Sequence, residues 1–336
     1  MDVFHYPDLS LSPERYASTI GFFDGVHLGH RYLLRQLNRE ASSRGLKSMA
    51  VTFDRHPREV VQAGWQPQLL STLDEKVELL SQTGIDALVV LRFDEAMAAL
   101  PARQFMGDVL HVQLHSDLLL TGYDNRFGHG RTESFADYEC YGRELGMEVV
   151  CAHPLSLRAD TGSAPTPADV HNQEEEVLSS SLVRRLLSAG DVARAAKCLG
   201  RHYSISGRVV HGERNGHALG FPTANLKPSD PQRLIPSTGC YAVVATLADG
   251  TRHHAMTNIG TRPTFHGQGL TLETNIFDET GEIYGQQLTI DFVSRLRDER
   301  TFDSLEALAT QLAADRQEAE RLLHIFSQKV WFYANK

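Results

Sequence analysis

Two histidines stand three residues apart in the string TIGFFDGVHLGHRYLLRQL (19–37), where an apolar stretch hands over to a helical pattern. His27 and His30 fall at the first turn of that helix. A helix N-terminus carries unpaired N–H groups and a partial positive charge, so it attracts phosphate. Gly25 and Gly29 let the backbone close on a ligand. Two imidazoles placed there can donate hydrogen bonds to phosphate oxygens as negative charge moves onto a departing pyrophosphate. The plainer reading of the same residues is a polar loop.

Further residues of the right types follow. Ser180, Ser181 and Arg184 open another helical pattern, where hydroxyls and a guanidinium can hold phosphate oxygens, although Ser180-Ser181 is equally an ordinary N-cap. Arg126 and Arg131 flank a Gly-rich turn after the run LLLTG, and Asp54, Arg55 and His56 follow the run MAVTF. These read as a basic loop and a turn before proline unless a ligand is shared. In the second half, Gly212, Gly216 and Gly220 recur every fourth residue before Pro222-Thr223-Ala224-Asn225. A Gly-rich flap can cover a nucleotide, and a Thr hydroxyl with an Asn carbonyl offers the hard oxygens that Mg²⁺ prefers. No G-x-x-x-x-G-K-[ST] string is present, which excludes P-loop kinase chemistry.

The elements that must position these residues are legible from periodicity. ASTIGFF, LKSMAVTF, IDALVVLRF, SDLLLTGYD and MEVVCAHPL read as strands. Between them HLGHRYLLRQLNREA, LDEKVELLSQTG, PARQFMGDVLHVQL and SFADYECYGRELG read as helices. Alternating units of this kind predict a parallel sheet with helices on both faces and a ligand edge beyond the strand C-termini. Residues 158–176 are poor in apolar side chains and read as a mobile loop, and SLVRRLLSAGDVARAAKCLG as a helical segment joining two halves. After it, β-rich runs separated by Asp-Gly and Thr-Gly turns predict a small antiparallel barrel, closed by a helix with a capping box at Asp303 and Glu306 and an apolar face of Leu305, Leu308 and Leu312. Strand alternation places Thr271, Glu273, Asn275 and Phe277 on one face and Leu270, Leu272, Thr274 and Ile276 on the other. A carboxylate so placed can take a proton from an alcohol, or simply face solvent.

With 336 residues the chain exceeds one ordinary core, and a net charge of -9 argues against nucleic acid as a partner. Its four cysteines lack metal or disulfide spacing and suit a reducing compartment. No apolar run reaches the length of a membrane span, and MDVFHYPDLS has no leader pattern, so a cytoplasmic address is expected with no membrane partner.

The string GFFDGVHLGH resembles the nucleotidylyltransferase superfamily. More closely, it is similar to the bacterial bifunctional riboflavin kinase/FMN adenylyltransferases, or FAD synthetases. VTFDRHP (51–57), GYDNRFGHGR (122–131), LSSSLVRRLL (178–187), GFPTANL (220–226), NIGTRPTF (258–265) and RLRDERTFDSLEALATQL (295–312) resemble further segments of that family, in its order. The resemblance implies a Rossmann-like α/β domain over 1–187 and a riboflavin kinase-like antiparallel β-barrel with a terminal helix over 188–336. It implies two ATP-dependent steps, riboflavin to FMN and FMN to FAD, with Mg²⁺ as cofactor.

By the same resemblance Gly21, Phe23, Asp24, Gly25, Gly29, Ser180, Ser181, Arg184, Gly212, Gly216 and Gly220 contact ATP. Asp54, His56, Asp124, Arg126, Arg131, Asn258 and Arg262 meet flavin or phosphate. Thr223 and Asn225 hold the metal, Glu273 is the base, and His27 and His30 serve adenylyl transfer. The chain departs from the family at Phe22, where asparagine is common, at His129 for lysine, at Ser181 for threonine, and at Asn275 for histidine. Two other readings stand beside this one: an adenylyl- or cytidylyltransferase for another phosphate, and a flavin carrier without turnover. Self-association into a homo-oligomer is left open by the residues.

Overall fold

In the computed structural model, residues 1–7, 13–122, 125–153, 155, 178–211, 221–264, 267–278 and 281–334 are described, with backbone alone for 262–264, 267–269 and 326–334. The chain divides into two compact units, Met1–Ser180 and Ser181–Lys336.

In the first unit, strands Asp2–Tyr6 (β1), Tyr16–Ile20 (β2), Lys47–Phe53 (β3), Ala87–Leu91 (β4), Ser116–Gly122 (β5) and Glu148–Ala152 (β6) form one sheet ordered β1-β4-β3-β2-β5-β6. Every pairing is parallel. Helices Leu28–Ser43 (α1), Pro57–Val61 (α2), Leu73–Ser81 (α3), Glu95–Ala98 (α4), Ala102–Gln104 (α5) and Phe135–Leu145 (α6), with a π-helical stretch Phe105–Gln113, make the connections. Alternate residues of the central strands feed two cores. Met49, Val51 and Leu119 pack with Phe105 and Tyr138 on one side; Ala50, Leu88 and Val90 pack with Leu34, Leu37 and Leu80 on the other. Burial of both faces explains why these strands read as continuous apolar runs. The chain leaves β2 toward β3 on one side and returns to β5 on the other. That reversal puts a crevice at the carboxyl ends of β2 and β5, where open α/β sheets take ligands.

In the second unit, Tyr203–Val210 (β7), Ala224–Pro228 (β8), Gly239–Thr246 (β9), Arg252–Thr264 (β10), Gly267–Ile276 (β11) and Gln287–Arg297 (β12) close into a barrel ordered β10-β11-β8-β7-β12-β9. All pairings are antiparallel. Ile205, Tyr241, Val243, Ala255, Ile259, Leu272, Ile290 and Phe292 are buried on one strand face and fill the interior. The opposite face bears Cys240, Ala242, Val244 and Met256, on which the helix Leu305–Ala334 packs through Ala319 and Leu323.

The predicted architecture is borne out, and the differences have local causes. β1 was not expected: DVFHY has little apolar content because it is a largely exposed edge strand beside β4. The strand read as ASTIGFF stops at Ile20, since Phe23 turns left-handed at φ 53°. The single helical segment after residue 180 is two helices, Ser180–Ser188 (α7) and Val192–Leu199 (α8). Gly190, at φ 80°, breaks them, and Asp191 caps the second by accepting a hydrogen bond from Arg194 N–H at 3.0 Å. Leu305–Ala334 (α9) is capped by Ser304 Oγ, which accepts from Ala307 N–H at 3.1 Å, so the Asp303–Glu306 box is replaced. Leu305 is exposed, which removes it from the apolar face assigned to it. The loop read over 158–176 lies outside the described residues.

Barrel closure demands a glycine on β7. A Cβ on Gly207 would lie 2.1 Å from the Lys227 carbonyl oxygen on the neighbouring strand. Gly207→Ala is therefore expected to lower the unfolding free energy by about 3 kcal/mol, at the upper end of overpacking effects. Denaturant titration checks this, and an unchanged midpoint contradicts it.

Candidate functional site

The crevice of the first unit begins with a wound turn. Phe23, Gly25 and Val26 take φ of 53°, 73° and 40°, a conformation that non-glycine residues hold only when their surroundings over-determine it. Asp24 does so. Its carboxylate, buried at 3% exposure, accepts from Leu70 N–H at 2.9 and 3.1 Å and from Ser71 N–H at 3.1 Å. Gly25 N–H donates to Ser71 Oγ at 3.0 Å, and Ser180 Oγ–H donates to the Asp24 carbonyl at 3.0 Å. Asp24 is thus the anchor of the turn, facing into the protein.

The turn delivers His27 as the N-cap of α1. Its Nδ1 accepts from His30 N–H at 3.3 Å, so the neutral ring carries its proton on Nε2. The space a Cβ on Gly29 would need is taken by the His27 ring, 3.0 Å away. Gly29 therefore gives the cap its room. The His27 and His30 rings stack with centroids 3.6 Å apart, and Phe23 meets His30 edge-on at 5.3 Å. Two protonated rings at that separation would repel by about 4–5 kcal/mol at an effective dielectric of 20. Burial, then His27, then Lys76 hold His30 well below the ordinary imidazole range. Its Nδ1 is buried with no partner among the described residues. Gly21 lies where a Cβ would meet the Phe23 ring at 3.1 Å.

Other segments reach the same crevice. Asn125 Nδ2–H donates to the Ile20 carbonyl at 2.9 Å, tying the loop after β5 to the end of β2. Within it, Arg131 Nε–H donates to the Arg126 carbonyl at 3.0 Å. Asp54 Oδ1 ends β3 by accepting from Phe93 N–H at 2.9 Å. His56 caps α2 and packs on Phe22 and Trp65 at 4.7 and 4.5 Å. Ser181 and Arg184, next on α7, fall in the second unit. Asp124 lies outside the described residues.

In the barrel, strand register aligns a row of side chains on the face opposite the core. Asn225 on β8 pairs with Glu273 on β11, Glu273 with Asn258 on β10, Asn258 with Cys240 on β9, and Cys240 with Arg297 on β12. A cavity of about 300 Å³ opens there between the wall and the start of α9, lined by Thr223, Asn258, Glu273, Asn275, Arg297 and Leu308 among others. Arg297 makes a bidentate ion pair with Asp315 of α9, both side chains nearly buried, with Nη2 2.8 Å from Oδ2. Asn275, at 4% exposure, donates from Nδ2 to the Pro222 carbonyl at 2.7 Å and so positions the residue before Thr223. Burial pushes the Cys240 thiol up to about 12, which leaves it an inert wall atom. Gly212, Gly216 and Gly220 lie outside the described residues, as does the side chain of Arg262.

The FAD synthetase family matches residues 10–165, and the riboflavin kinase family matches residues 199–323. The bifunctional riboflavin kinase/FMN adenylyltransferase of Escherichia coli K12 is 35% identical over 309 residues, covering 92% of this chain and 93% of that one. The chain belongs to the bifunctional riboflavin kinase/FMN adenylyltransferase family. The Bacillus subtilis member is 32% identical, covering 90% of each chain. The crystal structure of a macrolide-efflux protein from Streptococcus pneumoniae superposes with a TM-score of 0.82 at 27% identity, over 95% of this chain and 99% of that one. No helix among the described residues is long and apolar enough to cross a membrane.

Three residues of this family member escaped the sequence reading. Asn125 stood inside a quoted motif, but its role is a tether to a distant carbonyl. Lys76 and Ser71 gave no local signal, because they matter only once α3 is folded against the turn. The burial argument for His30 has a direct check. In an imidazole NMR titration of the intact protein, His30 is expected to stay neutral at pH 6 and to protonate well below 6.5. The unfolded chain binds that proton and the folded chain refuses it, so the associated stability is full above about pH 6.5 and declines as pH falls below it. A midpoint at or above 6.5 contradicts the argument.

Proposed function

We propose that the chain makes FAD from riboflavin in two ATP-dependent steps, with the chemistry of each carried by the residues just described in its own unit. The observation that supports this reading is a pair of chemically different phosphate sites, each inside a different matched family region: a helix N-terminus capped by stacked imidazoles, and a carboxylate flanked by hard oxygen donors in a cavity.

In the kinase site (residues 188–336), Glu273 takes the proton of the riboflavin 5′-hydroxyl as its oxygen attacks the γ-phosphorus of ATP. The bond from that phosphorus to the β–γ bridging oxygen breaks, and FMN and ADP result. A positioned base of this kind contributes about 10²–10⁴ in rate. Asn225 and Asn258 stand beside Glu273 on the two neighbouring strands. The Thr223 hydroxyl, the Asn225 amide oxygen and the ATP phosphates form a donor set that fits Mg²⁺, which often takes few protein ligands and keeps its waters. The metal would neutralise charge on the β- and γ-phosphates.

In the adenylyltransferase site (residues 1–187), a phosphate oxygen of FMN attacks the α-phosphorus of a second ATP. The bond to the α–β bridging oxygen breaks, and pyrophosphate leaves as FAD forms. A phosphate is already a competent nucleophile, so no covalent enzyme intermediate is needed. The protein's part is alignment and charge stabilisation by the α1 N-terminus, His27 Nε2–H, His30 and Ser180, with Arg126 and Arg131 toward the flavin phosphate. His30, held neutral by burial, donates a hydrogen bond without carrying a permanent charge.

Incubation with riboflavin and MgATP, followed by chromatographic separation of flavins, tests the reading. Wild-type protein is expected to yield FMN and then FAD, and chelation of divalent metal is expected to stop FMN formation. His30→Ala is expected to slow FAD formation about 10²-fold or more while FMN accumulates, in the range seen on loss of one transition-state donor. Glu273→Gln is expected to block FMN formation while supplied FMN is still converted to FAD. Loss of both activities in either folded variant refutes independent sites.

A further inference from the structure

Lys76 is a buried lysine beneath the histidine turn. It sits on α3 at 3% exposure, and no carboxylate lies within ion-pair distance of it among the described residues. A buried ammonium without hydrogen bonds costs several kcal/mol, so its three donors must be satisfied. They are. Nζ donates to the Phe22 carbonyl at 3.1 Å, to Thr52 Oγ1 at 3.2 Å and to the Phe53 carbonyl at 3.2 Å. Thr52 Oγ1–H donates in turn to the Phe22 carbonyl at 3.1 Å. Nζ also lies 4.1 Å from the centre of the Phe22 ring, a cation–π contact on a ring whose other neighbour is His56.

These partners are the carboxyl ends of β2 and β3, one residue ahead of the left-handed turn that carries Asp24, His27 and His30. The charged and titratable groups facing Lys76 are Asp24 and His30 from the β2–α1 connection, with His27 stacked behind, Asp54 from the end of β3, and His56 beyond Phe22. The Asp24 and Asp54 carboxylates are engaged by backbone N–H groups of other segments. A nucleotide phosphate entering at the α1 N-terminus would meet this unpaired cation in a site of low dielectric, where its field is strong.

We propose that Lys76 is a positioning residue for adenylyl transfer, clamping the ends of β2 and β3 under the histidine turn and supplying the buried positive charge that draws nucleotide phosphate there. This rests on the first unit being the adenylyltransferase. Burial lowers the Lys76 amine to about 8, against the pull of Asp24 and Asp54. The charge therefore drains away above that pH in the free enzyme, and bound phosphate, by linkage, restores it.

The test is the pH profile of kcat/KM for ATP in the conversion of supplied FMN to FAD by the full chain, which reports groups of the free enzyme. Wild type is expected to lose about tenfold between pH 7 and 9 with a midpoint near 8. Lys76→Arg, whose charge persists, should flatten that limb. Lys76→Met should weaken FAD formation about tenfold or more at pH 7, chiefly through KM for ATP, with no limb remaining. Riboflavin-to-FMN conversion should keep the same profile in all three. Isotope-labelled lysine NMR supplies a second readout: a resonance missing from Lys76→Arg should titrate near 8 and shift to higher pH with a non-hydrolysable ATP analogue. FAD formation without an alkaline limb, or a limb that survives in Lys76→Arg, overturns the role of Lys76 alone. No FAD at any pH overturns the assignment of the unit itself.

Discussion

Everything at the crevice of the first unit depends on how the Asp24 carboxylate is held. Hydrogen bonds from the Leu70 and Ser71 amides pin a carboxylate that would otherwise be costly to bury, and the pinned residue fixes a backbone that runs left-handed at Phe23, Gly25 and Val26. With the turn locked, His27 can fold over Gly29 and cap α1. With the cap in place, His30 stacks behind it. The imidazole pair is the last link of a chain of constraints that begins with two backbone amides nearly fifty residues away.

The two units handle charge in opposite ways. In the sheet, burial, then His27 and Lys76, hold His30 well below the ordinary imidazole range, and positive potential is available from the helix terminus and from a lysine beneath the turn. In the barrel, the acidic group lies open to a cavity between polar neighbours on adjacent strands, while the guanidinium in the same row is neutralised by an aspartate of the terminal helix. One arrangement suits gathering an anion whose nucleophile needs no help. The other suits drawing a proton from an alcohol.

Much of this was legible in the residues. Apolar runs of five to seven residues announced β2 to β5, because a sheet covered on both faces leaves no polar alternation to confuse the pattern. Alternation along β11 correctly put Glu273 with Thr271 and Asn275 on the cavity face. The edge strand β1 was missed because an edge needs few apolar residues. The break between α7 and α8 was hidden because leucines and alanines keep helical spacing across Gly190. Ser304 was passed over for Asp303 because both are good caps and only the fold chooses between neighbours. Phe22 had no assigned part. Its ring and carbonyl acquire one only when α3 brings a lysine to them from fifty-four positions away.

The ion pair of Arg297 with Asp315 makes the terminal helix part of the chamber wall. A substitution on the buried side of that helix, far from Glu273 in sequence, can leave an uncompensated guanidinium in the row that contains the carboxylate. Tolerance to change along the last helix should therefore be uneven, strict where it docks on the barrel and loose on its outer side. A segment that looks like a simple brace thereby shares the constraints of the cavity it closes.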